Sequence, residues 1–179
     1  MAEKKMFNFA FTMMALVGIP IRNMFMPPDK MLAEVKIKPG SHVLDFGCGP
    51  GVFTTKIAEN IGPSGSVYAL DINPLAVSMV KRKARKKNLE NVKTIHSNCS
   101  TSLSDNCLDH IIFFDVFHDL NNHQEVLMEL YRVLKDQGIM YFSDHHMKEI
   151  EIVQRLTANK LFKLKDQGRW TFSFSKVAS

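Results

Sequence analysis

From Asp29 onward, short apolar runs alternate with segments whose apolar residues recur every three to four positions, the pattern of a parallel sheet joined by crossover helices. Residues 41–46 read as a first strand and 53–61 as the helix behind it. A turn through Gly62, Pro63, Ser64 and Gly65 leads into a second strand over 65–70. Asn73 is placed to cap the next helix, with Pro74 at its first position, where the missing N–H costs nothing; this helix is expected to run to about Asn88. Residues 92–96 read as a third strand and 110–114 as a fourth, the latter an unbroken apolar run suited to burial on both faces. Val126, Leu127, Leu130, Val133 and Leu134 recur at helical spacing up to Lys135. A fifth strand over 139–143 and a helix over 149–158 follow.

The last stretch breaks the alternation. Residues 161–164 and 171–174 read as two strands around a polar turn at Asp166, Gln167 and Gly168, an antiparallel hairpin. The pattern predicts an α/β fold, a doubly wound, Rossmann-like, mostly parallel sheet finished by a C-terminal antiparallel hairpin.

Ahead of this unit, Lys4 and Lys5 precede a mainly apolar run over residues 6–21 that ends at Arg22. The run is interrupted by Asn8 and Thr12, lacks an A-x-A cleavage pattern and falls short of the roughly 20 residues needed to cross a bilayer. It therefore reads as a Met- and Phe-rich helix rather than a signal peptide or a membrane span. Phe7, Phe9, Phe11, Met13 and Met14 give it an adaptable apolar surface, and Pro27 and Pro28 would end it. The expected organisation is a helical cover segment over residues 1–28 and one α/β domain over 29–179.

Composition narrows the classes. At 179 residues the chain has room for one sizeable core, and 45% hydrophobic with 23% charged residues excludes disordered, collagen-like and disulfide-scaffold proteins. The net charge of +5 is local, because Lys81, Arg82, Lys83, Arg85, Lys86 and Lys87 account for six of the 23 bases, leaving 17 against 18 acids elsewhere. Leu75, Ala76, Met79, Val80 and Ala84 supply the buried face of that helix, so its bases belong on a solvated outer face. The aromatic interleaving of a single-strand binding platform is missing, and nucleic acid is disfavoured as a partner. Cys48, Cys99 and Cys107 have no C-x-x-C spacing, which suggests neither a disulfide framework nor a closed zinc site and fits a reducing cytoplasm.

The residues most informative about chemistry are Asp45, Gly47, Gly49 and Gly51. A strand ends in a carboxylate and runs into three alternate glycines, whose missing β-carbons permit a sharp turn and close approach of a ligand, and a helix follows at once. Twenty residues beyond Gly51 comes Asp71, at the end of the second strand and placed to accept hydrogen bonds from ribose hydroxyls. These positions predict an adenosine-type ligand across the carboxyl ends of the first two strands. A dinucleotide fingerprint would place its third glycine at Val52, so a ligand without a pyrophosphate fits better and a nicotinamide-dependent oxidoreductase is the weaker alternative.

The run from Asp45 to Gly51 resembles the first motif of the class I S-adenosylmethionine-dependent methyltransferases, and Tyr68, Ala69, Leu70, Asp71 and Ile72 resemble the second. The resemblance covers residues 38–177, terminal hairpin included. It implies S-adenosylmethionine as cofactor, with the Gly47 to Gly49 turn against it, Asp45 near its ammonium, Asp71 on the ribose and Ile72 in the same segment. Asn98 and Cys99 fall where the family usually has an acidic residue facing the adenine amino group; the Asn98 amide oxygen can still accept that bond. Asp115 to Leu120 is similar to the family's segment after the fourth strand, which implies Asp115 as a further cofactor-binding residue, and Leu130 to Lys135 to its helix before the fifth, as in the ubiquinone and menaquinone biosynthesis branch. The implied activity is methyl transfer to a small-molecule acceptor. A non-catalytic cofactor-binding subunit serving a partner enzyme is the alternative, and a second copy or a partner could complete the acceptor site.

A second constellation follows from topology. Asp115, His118 and Asp119 leave the fourth strand, and Asp144, His145 and His146 leave the fifth, at the sheet edge where ligands bind. His118, His145 or His146 is a candidate general base for an acceptor hydroxyl or thiol, since imidazole titrates near working pH. A stronger variant has the cluster orient the acceptor through a divalent metal, although no metal ligand set is assigned. The plain alternative is that each histidine caps a loop or bonds a carbonyl.

Overall fold

The computed structural model describes residues 11–177. Residues 6–10 of the expected N-terminal helix lie outside the described residues. Helical backbone runs from residue 11 through a wide π turn at Met14–Gly18 into α1 (Ile19–Phe25). Pro20 has no N–H to return to the preceding turn, which is a sufficient reason for the helix to widen there. Pro27 then interrupts the helical path, but Pro28 starts a new helix, α2 (Pro28–Glu34), which the sequence reading did not separate out. Among the described residues no helix is long and apolar enough to cross a membrane.

The domain follows as β1 (His42–Phe46), α3 (Val52–Ile61), β2 (Ser66–Asp71), α4 (Pro74–Lys86), β3 (Val92–His96), β4 (Leu108–Phe114), α5 (His123–Val133), β5 (Leu134–Ser143), α6 (Glu149–Thr157), β6 (Phe162–Gln167) and β7 (Phe172–Lys176). The strands form one sheet in the order β3-β2-β1-β4-β5-β7-β6. β1 to β5 pair in parallel, and β7 runs antiparallel to both β5 and β6. The winding reverses between β1 and β4, the point where an open α/β sheet leaves a crevice at its carboxyl edge.

Strand alternation separates two apolar layers. Leu44, Phe46, Ile111, Phe113, Met140 and Phe142 face Val126, Leu127, Leu130 and Val133 of α5 and Ile152 and Leu156 of α6. Val43, Val67, Ile112, Phe114 and Tyr141 face Met31 of α2 and Ile57, Ala58 and Ile61 of α3. Burial on both faces explains why residues 111–114 read as a continuous apolar run. Asn73 caps α4 as expected, its Oδ1 accepting the Leu75 N–H at 2.9 Å. The helix stops at Lys86, and Asn88 takes a left-handed φ of 54° just beyond. Lys81, Arg82, Arg85, Lys86 and Lys87 are exposed and Lys83 is half-buried, with Lys87 paired to Glu59.

The hairpin forms two residues later than expected, with Asp166 and Gln167 inside β6 and the turn over residues 168–171. A distant carboxylate is responsible. Glu34, at the end of α2, accepts the N–H groups of Arg169, Trp170 and Thr171 and the Thr171 hydroxyl, at 2.9–3.2 Å. A run of backbone donors converging on one carboxylate shapes the turn more strongly than turn propensity does. Phe172 and Phe174 are buried, as expected, while Trp170 is half-buried with the Arg169 guanidinium over its ring.

Candidate active site

The loop after β1 is held by its neighbours on the crevice. The N–H groups of Gly47 and Cys48 both donate to the Leu70 carbonyl, at 2.8 and 2.9 Å. Gly47, with φ of 75°, has no alternative residue here, because a β-carbon would lie 2.1 Å from Val116 Cγ2 in the loop after β4. Gly51, with φ of 78°, packs against Val80 of α4. Gly49 differs: among the described residues a β-carbon there would meet only Ile19 Cδ1 of α1, at 4.0 Å, so the loop presents bare backbone toward α1.

Two carboxylates flank this loop. Asp45 is buried, and its Oδ2 accepts the Thr54 hydroxyl at 2.5 Å. Burial pushes its carboxyl up to about 7; the Thr54 bond opposes the rise and the negative charge of Asp71 adds to it. Asp71 accepts the Gly49 N–H on Oδ2 and the Asn73 N–H on Oδ1, both at 2.8 Å. Burial also raises the Asp71 carboxyl, against those two bonds. Beside it, Asn73 Nδ2 is buried without a hydrogen-bond partner.

The residues fit an adenosyl sulfonium. A buried carboxylate with a single side-chain partner suits an ammonium group, Asp71 keeps about two lone-pair directions for hydroxyls, and the bare Gly49 backbone permits close approach. Ile72 stands 58% exposed at the end of β2, an apolar surface open to a flat ring. Asn98 is exposed and Cys99 half-buried beyond β3, where the Ser97 hydroxyl accepts the Cys99 N–H.

The histidine cluster assembles on the adjacent loops. Asp144 is buried; its Oδ2 accepts both the backbone N–H and the Nδ1–H of His118, at 3.0 and 2.9 Å, and its Oδ1 accepts the His146 N–H at 3.1 Å. Asp115, with φ of 52°, does the same for His145: Oδ1 accepts its backbone N–H at 3.0 Å and its Nδ1–H at 2.9 Å. The His146 ring lies 4.0 Å from that of His118 and 3.9 Å from that of His145, centre to centre. Since Asp115 directly precedes Val116, which packs on Gly47, this cluster abuts the glycine loop. A separate open cavity of about 450 Å³ lies between the α5 and α6 ends, lined by Phe117, His123, Leu127 and Arg155.

Two participants escaped the sequence reading. Thr54 is one; a hydroxyl in the first turn of the helix after a strand-end acid was the available signal. Arg22 is the other: on α1 it pairs with Asp115 Oδ2, lies over the Phe53 ring and donates to Met31 Sδ. The only sign of it was a guanidinium closing an otherwise apolar run. With Ile19 near Gly49, these contacts lay α1 across the crevice.

Strand order 3-2-1-4-5-7-6, the acid-flanked glycine loop and the acid ending β2 define the class I S-adenosylmethionine-dependent methyltransferase fold. Residues 37–176 match the family described as a methyltransferase domain, and the chain belongs to that family. It is 32% identical over 111 residues to a demethylmenaquinone methyltransferase of Geobacillus sp. (strain WCH70), covering 62% of this chain and 47% of that protein. A demethylmenaquinone methyltransferase of Listeria welshimeri is 32% identical over 105 residues, 58% of this chain and 44% of that protein. The chain spans about half the length of these curated relatives. Among solved structures, a SAM-dependent methyltransferase from Aquifex aeolicus superposes with a TM-score of 0.77 at 26% identity, covering 89% of this chain and 94% of that one.

Proposed function

We propose that the chain transfers the methyl group of S-adenosylmethionine to a small apolar or flat acceptor, with His118 as the general base. The observation that carries this reading is the contact of the two halves of the site, where Gly47 of the cofactor loop meets Val116, the residue after Asp115. When bound, S-adenosylmethionine supplies an electrophilic methyl carbon, whose bond to the sulfonium breaks as the acceptor's bond to it forms, leaving a neutral thioether.

In this reading Asp45 receives the ammonium group, Asp71 the ribose hydroxyls, and Ile72 and Asn98 the adenine, with Cys99 alongside. Asp144 holds His118 with its proton on Nδ1, which leaves Nε2 to take the proton of an acceptor hydroxyl or thiol. Asp115 holds His145 in the same manner, and His146 fills the space between the two rings. α1 excludes water from the reacting groups through Ile19 and Arg22. The relatives named demethylmenaquinone methyltransferase make quinols the first acceptors to try. Three free cysteines support residence in a reducing cytoplasm. The exposed outer side of the π turn and α1, including Leu16, Met24 and Phe25, is where a second copy or partner would close the acceptor side.

The test is turnover of methyl-labelled cofactor by the purified chain against quinols and thiols, with calorimetry on S-adenosylhomocysteine. His118→Ala and His145→Ala, made separately, are expected to leave S-adenosylhomocysteine affinity intact and lower turnover. Tight binding without turnover of any acceptor would favour a cofactor-binding subunit, and no binding at all would overturn the reading.

A further inference from the structure

One atom from each of Asp115, Asp144 and His145 can be chosen so that all three lie within 4.8 Å of one another, at the carboxyl edge of β4 and β5. We propose that these three side chains hold a divalent transition-metal ion, which fixes an anionic oxygen or sulfur of the acceptor beside the glycine loop.

The ligand spacing suits an ion. Two adjacent ligands at about 2.1 Å from a metal are about 3.0–3.4 Å apart; Asp115 Oδ1 and His145 Nδ1 stand 2.9 Å apart across a hydrogen bond whose proton the incoming ion would displace to solvent, freeing the Nδ1 lone pair for coordination. Each carboxylate is oriented from outside the triad. Arg22 engages Asp115 Oδ2, which leaves Oδ1 turned to His145. The His118 backbone and ring N–H groups fix Asp144, whose oxygens retain further lone pairs. Such outer partners are what ordinarily hold metal ligands in place.

Charge and donor type select the ion. Two carboxylates meet one guanidinium, so the cluster carries surplus negative charge for a cation to neutralise. An imidazole among the donors favours Zn²⁺, Fe²⁺, Co²⁺ or Ni²⁺ over Mg²⁺ and Ca²⁺. Three protein ligands leave coordination positions open, the arrangement of sites that bind substrate rather than closed structural ones. A deprotonated hydroxyl or thiol would fill one, within reach of His118 as its proton leaves. The orienting role rests on the methyl-transfer reading, whereas ion binding does not.

The experiment titrates the metal-stripped full chain with Zn²⁺ by calorimetry and with Co²⁺ by visible absorption, beside a parallel S-adenosylhomocysteine titration. One equivalent of ion is expected per chain, with affinity weakened about tenfold or more in His145→Ala and in Asp144→Asn. Cofactor-product affinity should not change in either. Because Asp144 also anchors the His118 backbone, His145→Ala, at an exposed position, decides alone if Asp144→Asn does not fold. A chain that binds S-adenosylhomocysteine yet takes up neither ion overturns the proposal, as does ion binding that the folded variants retain. Loss of S-adenosylhomocysteine binding with ion uptake intact would instead count against the methyl-transfer reading alone.

Discussion

Asp71 Oδ2 accepts the Gly49 N–H at 2.8 Å, so the acid ending β2 also braces the loop after β1. With Asp71 in its proposed ribose role, binding and loop shape would be coupled through one side chain. Asp71→Ala removes the acceptor for two backbone N–H groups together with the proposed ribose contact. The expected result is a loss of about 1–3 kcal/mol in stability and a far larger loss of S-adenosylhomocysteine affinity than Asp71→Asn, which keeps one acceptor oxygen. Calorimetry and urea denaturation of the two variants check this; equal affinities would refute the coupling.

Gly47 and Val116 form a steric pair. Gly47→Ala puts a methyl group 2.1 Å from Val116 Cγ2 and also forces a left-handed φ on alanine, which alone costs about 1–2 kcal/mol. Val116→Ala in the same chain removes the clash but not the backbone strain. The double variant should thus recover part, never all, of the stability lost by Gly47→Ala, a coupling that a double-mutant cycle in urea measures.

With Asp45 as the proposed partner of the ammonium group, cofactor binding is expected to depend on pH. The Asp45 carboxyl lies near 7 when folded against 3.8 as the unperturbed value, so between those limits the native state binds the extra proton. This group's contribution to stability consequently falls as pH rises from about 4 to about 7. A cationic ligand prefers the ionised form, so S-adenosylmethionine affinity should rise with pH through 7 and level off above it, with proton release on binding below 7. Asp45→Asn is expected to flatten that rise, as calorimetry in buffers of different ionisation enthalpy would show.

Glu34 ties α2 to the hairpin turn. Glu34→Ala strands three backbone N–H groups and a hydroxyl, and is expected to cost about 2–4 kcal/mol. Gly168→Ala should be nearly as damaging, since a β-carbon there would lie 2.3 Å from Glu34 Oε2. Midpoints of chemical denaturation compare the two.

Periodicity revealed most of the sheet, because strands buried on two faces leave long apolar runs and the helices between them keep one apolar stripe. β3 spans the residues its pattern predicts, while β5 starts earlier than predicted because Leu134, which pairs with Leu108, continues the helical spacing before it, and the polar Lys135 to Gln137 separate it from the continuous pairing that resumes at Ile139. The glycine loop and Asp71 were visible because backbone geometry demands those residue types locally. Glu34, Arg22 and Thr54 were not, since each acts on a partner that only folding brings near: Thr171 is 137 residues from Glu34. The Asp144–His118 and Asp115–His145 pairs lay between these cases, with topology bringing the loops together and pairing left to side-chain geometry.

The π turn leading into α1 opens a stretch with no buried residue. None of residues 14–25 is buried, whereas Phe11 ahead of the wide turn is, and Ile19 and Arg22 beyond it reach Gly49 and Asp115. Such a collar opens at far lower free energy than the β-sheet beneath it. Amide protons of residues 14–25 are therefore expected to exchange with solvent well before those of β1 and β4, as hydrogen exchange would show.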